Sequence, residues 1–348
     1  MYSRIVIHAT NIHQGGGRSL FLPLLKILPK DTVIFVDERM LLPSDMACDI
    51  EIIRVKPSIL HRLLAEKWLS RVVKKNDVVL CFGNLPPLIK LTGHTVVFVQ
   101  NRYLIDDVSL RGFPLAVQLR LAIERMWLSG SKCNVDEFVV QTPTMQKLLE
   151  QKTLGRYPIR VLPFVSISHG YVRRLMQSNL QYQHNHDFVY VASGEPHKNH
   201  LRLIDAWCLL AEEGFFPTLC LTLSESRFSG LCQDIDMMRQ RYGLKVSNLG
   251  ELSHSDVLRL YQNAWAAIYP STFESFGLPL IEARQAGLPV LASELDYVRD
   301  VLDPEQTFDP ISPVSIARAV KRFIDEDEQP LPLLDASQFL ASIFEGAS

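Results

Sequence analysis

Short apolar, β-branched runs alternate with longer amphipathic stretches along this chain, and the alternation occurs twice. In the first half the period-2 or fully apolar runs predict strands at 4–9 (RIVIHA), 32–36 (TVIFV), 77–83 (DVVLCFG), 95–100 (TVVFVQ), 137–142 (EFVVQT) and 159–164 (IRVLPF). Between them, HRLLAEKWLSRVVKK from His61 and LAVQLRLAIERMWLSG from Leu115 repeat their apolar residues at helical spacing. The pattern restarts with strands predicted at 187–193 (DFVYVAS), 218–224 (TLCLTLS), 244–250 (LKVSNLG), 264–270 (AWAAIYP) and 288–293 (LPVLAS). The polar interval 177–187 (QSNLQYQHNHD) reads as the joint between the halves. Strands that alternate with helices imply parallel sheets covered on both faces, so the expected architecture is two doubly wound α/β domains. They cover 1–170 and 171–348, with the last helix packing back on the first domain. Such sheets bind ligands at the carboxyl ends of their strands, which places a site in the cleft between facing domains.

The length of 348 residues agrees, since one core seldom grows beyond about 250–300 residues. With 47% hydrophobic and 21% charged residues, the composition is that of a globular protein. No apolar run approaches the roughly 20 residues of a membrane span, and the first apolar segment is too brief for a signal peptide. The six cysteines form no C-x-x-C pair and sit mostly in apolar surroundings, as expected for free buried thiols in the cytosol. A cytoplasmic protein is expected, peripheral at the inner face of a membrane if the basic half meets lipid.

The net charge of −2 conceals a division between the halves. Residues 1–165 hold 22 Lys and Arg against 14 Asp and Glu, a balance of +8, whereas residues 166–348 hold 14 against 24, a balance of −10. The basic half fits an anionic membrane surface, a phosphate-bearing substrate, or a solvated face with no partner. Nucleic acid is not expected, because no dense Lys/Arg stripe with interleaved aromatics occurs.

The candidate chemistry concentrates in PSTFESFGLPLIEARQAGLPV, residues 270–290, which holds Glu274 and Glu282. On one continuous helix these carboxylates would lie about 12 Å apart and point in different directions. The stretch instead reads as strand, loop and then a helix with Pro279 in its first turn. Gly277 permits the bend, and the N–H groups of Phe276, Gly277 and Leu278 come to a helix N-terminus, where an anion binds. Taken singly, Glu282 is equally a complement to the helix dipole and Glu274 a surface loop residue. Lys198 follows a strand and precedes Asn199, a candidate N-cap for the helix from Leu201, so a cation stands beside another helix start. Asp234 and Asp236 have D-x-D spacing, but they fall in a helical pattern and read as a solvated face. There is no H-E-x-x-H, Walker loop or G-x-G-x-x-G, and no metal or cofactor is expected.

The stretch FESFGLPLIEARQAGLPVLAS resembles the E-x7-E donor-binding motif of retaining family-4 glycosyltransferases, which have the two-domain GT-B fold. VASGEPHKNHLRLIDAW (191–207), VSNLGELSHSDVLRLYQNAWAAIYPS (246–271) and HQGGGRS (13–19) are similar to the corresponding segments of that family, notably its bacterial O-antigen and capsule mannosyltransferase-like members. The resemblance implies a nucleotide-diphosphate sugar as donor, GDP-mannose or a UDP-sugar. It implies a glycan acceptor, polyprenyl-diphosphate-linked, in surface polysaccharide synthesis. It implies Glu274 and Lys198 as catalytic residues. Donor contacts implied are Glu282, Ser275, Phe276, Gly277, Leu278, Gly16, Gly17 and His197. Gln100, Asn101 and Arg102 are implied at the acceptor or donor sugar. Two positions depart from the family pattern: His197 stands where the subgroup has arginine, and Gln100 where many relatives have histidine. A catalytically silent nucleotide-sugar-binding scaffold and a glycosidase are the alternatives. The paired carboxylates suit hydrolysis, but a hydrolase has no diphosphate for Lys198 to hold.

Overall fold

The computed structural model describes residues 4–43, 50–164 and 186–324. The strands of the first half are β1 (Arg4–Ala9), β2 (Val33–Asp37), β3 (Glu51–Val55), β4 (Asp77–Cys81), β5 (His94–Phe98), β6 (Glu137–Val140) and β7 (Ile159–Val161). All neighbouring pairs run parallel, in the order β3-β2-β1-β4-β5-β6-β7. The second half adds β8 (His186–Tyr190), β9 (Leu219–Leu221), β10 (Val246–Asn248), β11 (Ala264–Tyr269), β12 (Val290–Ser293) and β13 (Gln306–Phe308). These also pair in parallel, in the order β10-β9-β8-β11-β12-β13. The expected α/β architecture is therefore present as two Rossmann-like sheets with the GT-B arrangement.

Strands β3 and β13 were not expected from the pattern, and both are edge strands. His186 and Asp187, read as part of the joint, already belong to β8. The rest of that joint, the boundary at 170/171 and the proposed last helix lie outside the described residues.

Helices cover both faces of the first sheet. Helix α1 (Gly15–Leu25) packs Leu20, Phe21 and Leu25 against Ile7, Ile34 and Phe98 on one face. On the other face lie α2 (Ile59–Val72) and α3 (Leu115–Ser131), whose Ala65, Leu69, Leu121 and Leu128 share a core with Val6, Phe35, Val79 and Val97. Helix α4 (Pro143–Thr153) adds Met145 and Leu149 to that core. Thr142 caps α4 by accepting a hydrogen bond from the Met145 N–H, which satisfies one of the otherwise orphan first-turn donors.

Around the second sheet are α5 (His200–Glu212), α6 (Ser229–Tyr242), α7 (His254–Gln262), α8 (Leu278–Gln285), α9 (Asp296–Arg299) and α10 (Pro313–Phe323). Their core is built on the fully buried Trp207, Tyr190, Tyr261 and Tyr297. Asp234 and Asp236 lie exposed on α6, Asp236 paired with Arg239, as expected of a solvated helix face. Cys81, Cys208 and Cys220 are buried as expected, Cys232 is half-buried, and Cys133, in the turn after α3, is exposed, which corrects the expectation of a buried thiol there.

The two sheets share a functional consequence of their strand order. Each reverses direction of winding beside its first strand, between β1 and β4 in one and between β8 and β11 in the other. A crevice opens at the carboxyl ends of strands where the order switches. The loops that leave β1, β4 and β5 thus converge on the loops that leave β8 and β11.

Candidate active site

Those loops line one cavity of about 550 Å³ with walls from both domains. From the second domain come His197, Lys198, Glu274, Ser275 and the start of α8 through Glu282. From the first come Gly16, Gly17, Gln100, Asn101 and Arg102. The residues implied for catalysis and for donor or acceptor contact are therefore all brought to one cleft.

The 3₁₀ turn Pro196–Lys198 sets Lys198, its N–H donating to the Glu195 carbonyl at 2.9 Å. The Lys198 carbonyl accepts from the hydroxyl of buried Tyr190 at 2.7 Å. Its ammonium reaches the Glu274 carboxylate, Nζ to Oε1, at 2.5 Å, with side-chain exposures of only 14% and 12%. The same Oε1 accepts from Tyr269 at 2.9 Å and Ser271 at 2.8 Å. Burial pushes the Glu274 carboxyl up, but the Lys198 charge and the hydrogen bonds from Lys198 and Ser271 outweigh it, so it ionises more readily than an ordinary glutamate.

Asn199 does not cap α5 with its side chain, contrary to expectation. It adopts the left-handed conformation, φ +62°, and its amide donates to the Pro270 and Pro310 carbonyls at 3.0 and 2.7 Å. It braces the two loops that flank the lysine.

Gly277 also has positive φ, +71°, and turns the chain from the Glu274 loop into α8. The N–H groups of Phe276, Gly277 and Leu278 have no acceptor among the described residues and face a helix start, a local concentration of positive potential. Glu282 is the fifth residue of α8, one turn inside the helix rather than in its first turn. Burial pushes its carboxyl up to about 7, and its Oε1 lies 3.8 Å from His254 Nδ1. Two glutamates eight positions apart thus titrate on opposite sides of their ordinary value.

His197 is part of an aromatic contact between domains, its ring 5.7 Å from Tyr103, 6.3 Å from Phe113 and 6.4 Å from Phe273. Burial and then the neighbouring Lys198 charge depress its basicity, so it is a neutral packing residue and not a second cation. Arg102 lies over the Phe273 ring at 4.3 Å, pairs with Asp106 at 2.8 Å and donates to the Glu274 carbonyl at 3.4 Å. It ties one domain to the other.

Gln100 is pinned by its own amide, which donates to the Phe82 carbonyl at 2.9 Å. The Gln100 and Asn101 N–H groups both donate to Asn84 Oδ1, and Asn101 Oδ1 in turn accepts from the Tyr103 N–H. Gly16 and Gly17 open α1. A Cβ on Gly16 would stand 3.3 Å from Leu278 Cδ1 across the cleft, and one on Gly17 2.9 Å from Ile12 Cδ1. A side chain at Gly16 would hold the walls apart, and one at Gly17 would press on Ile12 of its own domain.

Sequence reasoning missed Asn84, Tyr103, Phe273 and Arg227. Asn84 follows β4 in a Gly-Asn turn with φ +69°, a signal that was available. Arg227 lines the cleft from the loop after β9, exposed and without an ion pair among the described residues. Among the described residues no group of three His, Cys, Asp or Glu side chains is placed to hold a metal ion.

Residues 172–333 match the family model for glycosyl transferases group 1. O-antigen chain mannosyltransferase B of Escherichia coli is 29% identical over 143 residues, which is 40% of this chain and 37% of that protein. Serotype-specific mannosyltransferase WbdA of Escherichia coli is 30% identical over 144 residues, 41% of this chain and 18% of that one. The chain therefore matches well under half the length of these curated relatives. Among solved structures, Anabaena HepE in complex with UDP and glucose has a TM-score of 0.62 at 15% identity, covering 93% of this chain and 90% of that chain. Sucrose-phosphate synthase from Thermosynechococcus elongatus has a TM-score of 0.66 at 16% identity, covering 92% and 89%. Residues 172–333 thus match glycosyl transferases group 1, in a chain whose GT-B fold is shared with these solved structures.

Proposed function

We propose that this chain transfers a sugar, with retention of anomeric configuration, from a nucleotide-diphosphate sugar to a hydroxyl of a glycan acceptor carried on a polyprenyl diphosphate, in the synthesis of a surface polysaccharide. The observation that carries the reading is the convergence of Lys198, the open N–H groups at the start of α8 and two glutamates in one cleft between two α/β domains. Each group has a place in the chemistry. The acceptor oxygen bonds to the anomeric carbon as the bond from that carbon to the donor phosphate breaks. The departing phosphate oxygen takes the acceptor's proton on the same face.

Negative charge grows on the diphosphate during this step, and donors already aimed at it lower the barrier because they need not reorganise. Lys198 and the N–H groups of Phe276, Gly277 and Leu278 supply that field without a metal. Arg227 stands in for the cation that His197 does not provide. Glu282 accepts hydrogen bonds from the nucleotide ribose, while Glu274, with Ser275, orients the donor sugar and holds Lys198 in place. Gly16 and Gly17 let the first domain close on the donor, and Gln100 and Asn101 present polar groups to the sugars.

GDP-mannose is the favoured donor, in line with the mannosyltransferase relatives, and a UDP-sugar is the second choice. A thermal-shift screen across nucleoside diphosphates and their sugars tests the reading, since a ligand at a hundred times its Kd adds about 2.7 kcal/mol of stability. No shift with any of them would remove the proposal.

Two observations favour a silent donor-binding subunit instead: the neutral, packed His197 and the pinned Gln100 amide. Release of nucleoside diphosphate only when acceptor is present separates the enzyme from that alternative. The opposed titration of Glu274 and Glu282 also suits a glycosidase. Direct pairing of Glu274 with Lys198 argues against that role, because it sets in the site a cation for which a hydrolase has no diphosphate.

A further inference from the structure

The first domain carries an apolar face unrelated to the cleft. On α2, Leu60, Leu63, Leu64 and Trp68 recur at helical spacing and all are exposed, although Ala65 and Leu69 on the same helix are buried. On α3, Leu115, Leu119, Ile123 and Met126 repeat the arrangement, with Leu115 82% and Met126 67% exposed. The two helices lie side by side in the layer that covers one face of the first sheet, where the Arg62 guanidinium sits 4.8 Å from the Trp127 ring centre. The segment after β4 runs beside them, fixed by the Trp127 indole on the Pro86 carbonyl and by the Leu88 N–H on Glu66. It adds exposed Leu88 and Ile89. Ten large exposed apolar side chains thus lie on these neighbouring segments, and a contiguous exposed apolar patch marks an interaction site.

The exposed charges on these two helices have one sign. Lys67 and Arg71 on α2, Lys74 and Lys75 just beyond it, and Arg120 on α3 are exposed. No acidic side chain is exposed on either helix, for Glu66 is buried and Glu124 is half-buried beside Arg120. A two-fold contact between copies would set these cations against one another, which disfavours self-association. Among the described residues no helix is long and apolar enough to cross a membrane. Apolar side chains amid lysine and arginine are the pattern of helices that lie in the interface of an anionic bilayer, with the apolar groups in the acyl boundary and the cations at the headgroups.

We propose that the α2–α3 face docks the chain on an anionic lipid surface. The docking does not depend on the transferase reading, so the two fail separately.

Flotation of the full chain with phosphatidylcholine vesicles, with and without phosphatidylglycerol, tests it at low and high salt. The chain floats with the anionic vesicles and not with phosphatidylcholine alone, and high salt weakens the association. The pairs Leu119→Ser with Ile123→Ser, and Lys67→Glu with Arg71→Glu, each lower the vesicle partition about tenfold. Both leave the unfolding temperature and any nucleotide-induced shift unchanged, since all four side chains are exposed. The proposal is overturned if the chain stays with the aqueous fraction in the presence of phosphatidylglycerol, or if both variants float as the unaltered chain does. It is equally overturned if sedimentation equilibrium shows an oligomer that Leu119→Ser and Ile123→Ser dissociate, because the face then belongs to a second copy.

Discussion

Lys198 and Glu274 are 76 residues apart in the chain and joined by a 2.5 Å ion pair at the floor of the cleft. The pair holds a cation at the end of one strand and a carboxylate after another, each largely shielded from water. In the proposed reaction the leaving diphosphate draws on a lysine that Glu274, Tyr269 and Ser271 already position. Removing either partner has two separable effects, one on turnover and one on the charge left behind.

Lys198→Met is therefore expected to lower kcat by about 10²- to 10³-fold, the loss typical of a transition-state donor. It also leaves a carboxylate with little solvation, which costs on the order of 3 kcal/mol of stability. Combining it with Glu274→Gln restores most of the stability and none of the turnover. Urea unfolding beside nucleotide release resolves the two effects. A double variant as unstable as Lys198→Met alone would show that the ion pair is not what the single substitution breaks.

Glu282 supplies a pH dependence. Its folded-state carboxyl titrates at about 7, above its ordinary value, because burial disfavours the charge. Only the ionised form accepts from two ribose hydroxyls at once. Donor affinity is thus expected to rise severalfold from pH 6 to pH 8, with a midpoint near 7, and to lose that rise in Glu282→Gln. Isothermal titration with the preferred nucleotide across that range checks it. An unaltered profile in the variant assigns the dependence to another group.

Acid sensitivity comes from a different place. His200 is buried against Tyr190 at a ring distance of 4.7 Å, neither ring nitrogen has a partner among the described residues, and burial lowers its pKa to about 3. The unfolded chain binds a proton there below about pH 6.5 while the folded chain does not, so stability present above that pH is lost as pH falls toward 3. The slope is about 1.4 kcal/mol per pH unit, or about 2 kcal/mol by pH 5. His8, also buried and depressed by burial, adds to the loss. His200→Phe is expected to shrink the difference between urea midpoints at pH 7 and pH 5. An unchanged difference would assign the loss to other groups.

Much of this architecture is legible along the chain, and the exceptions have physical reasons. The alternation of β-branched runs and helical patterns located eleven strands, because parallel strands buried on both faces are strongly apolar. Glu51–Val55 escaped notice because its edge position leaves Glu51, Ile52 and Arg54 exposed, and Gln306–Phe308 because three residues carry no period. The cleft residues were readable because glycine turns and charged residues follow apolar strands. The Lys198–Glu274 pair and the packing of Tyr103, Phe113, His197 and Phe273 were not, since both depend on how separate segments meet. Asn199 was misread for the same reason: its amide serves two loops that approach only in the folded chain.

Gly16 tests whether the domains act together. It stands in the first turn of α1 and faces Leu278, the first residue of α8, so a Cβ would come within 3.3 Å of the leucine methyl. Gly16→Val adds three carbons at that contact and is relieved by the domains moving apart rather than by strain within either core. Each domain keeps its own core, so the unfolding temperature without ligand is expected to hold. Nucleotide-sugar affinity falls on the order of tenfold, equivalent to about 1.4 kcal/mol. Leu278→Ala in the same chain clears the space and returns most of that affinity, which a purely local disturbance of α1 would not allow. If Gly16→Val binds the donor as the unaltered chain does, the first domain takes no part in holding it, and the donor site is confined to the loops after β8 and β11.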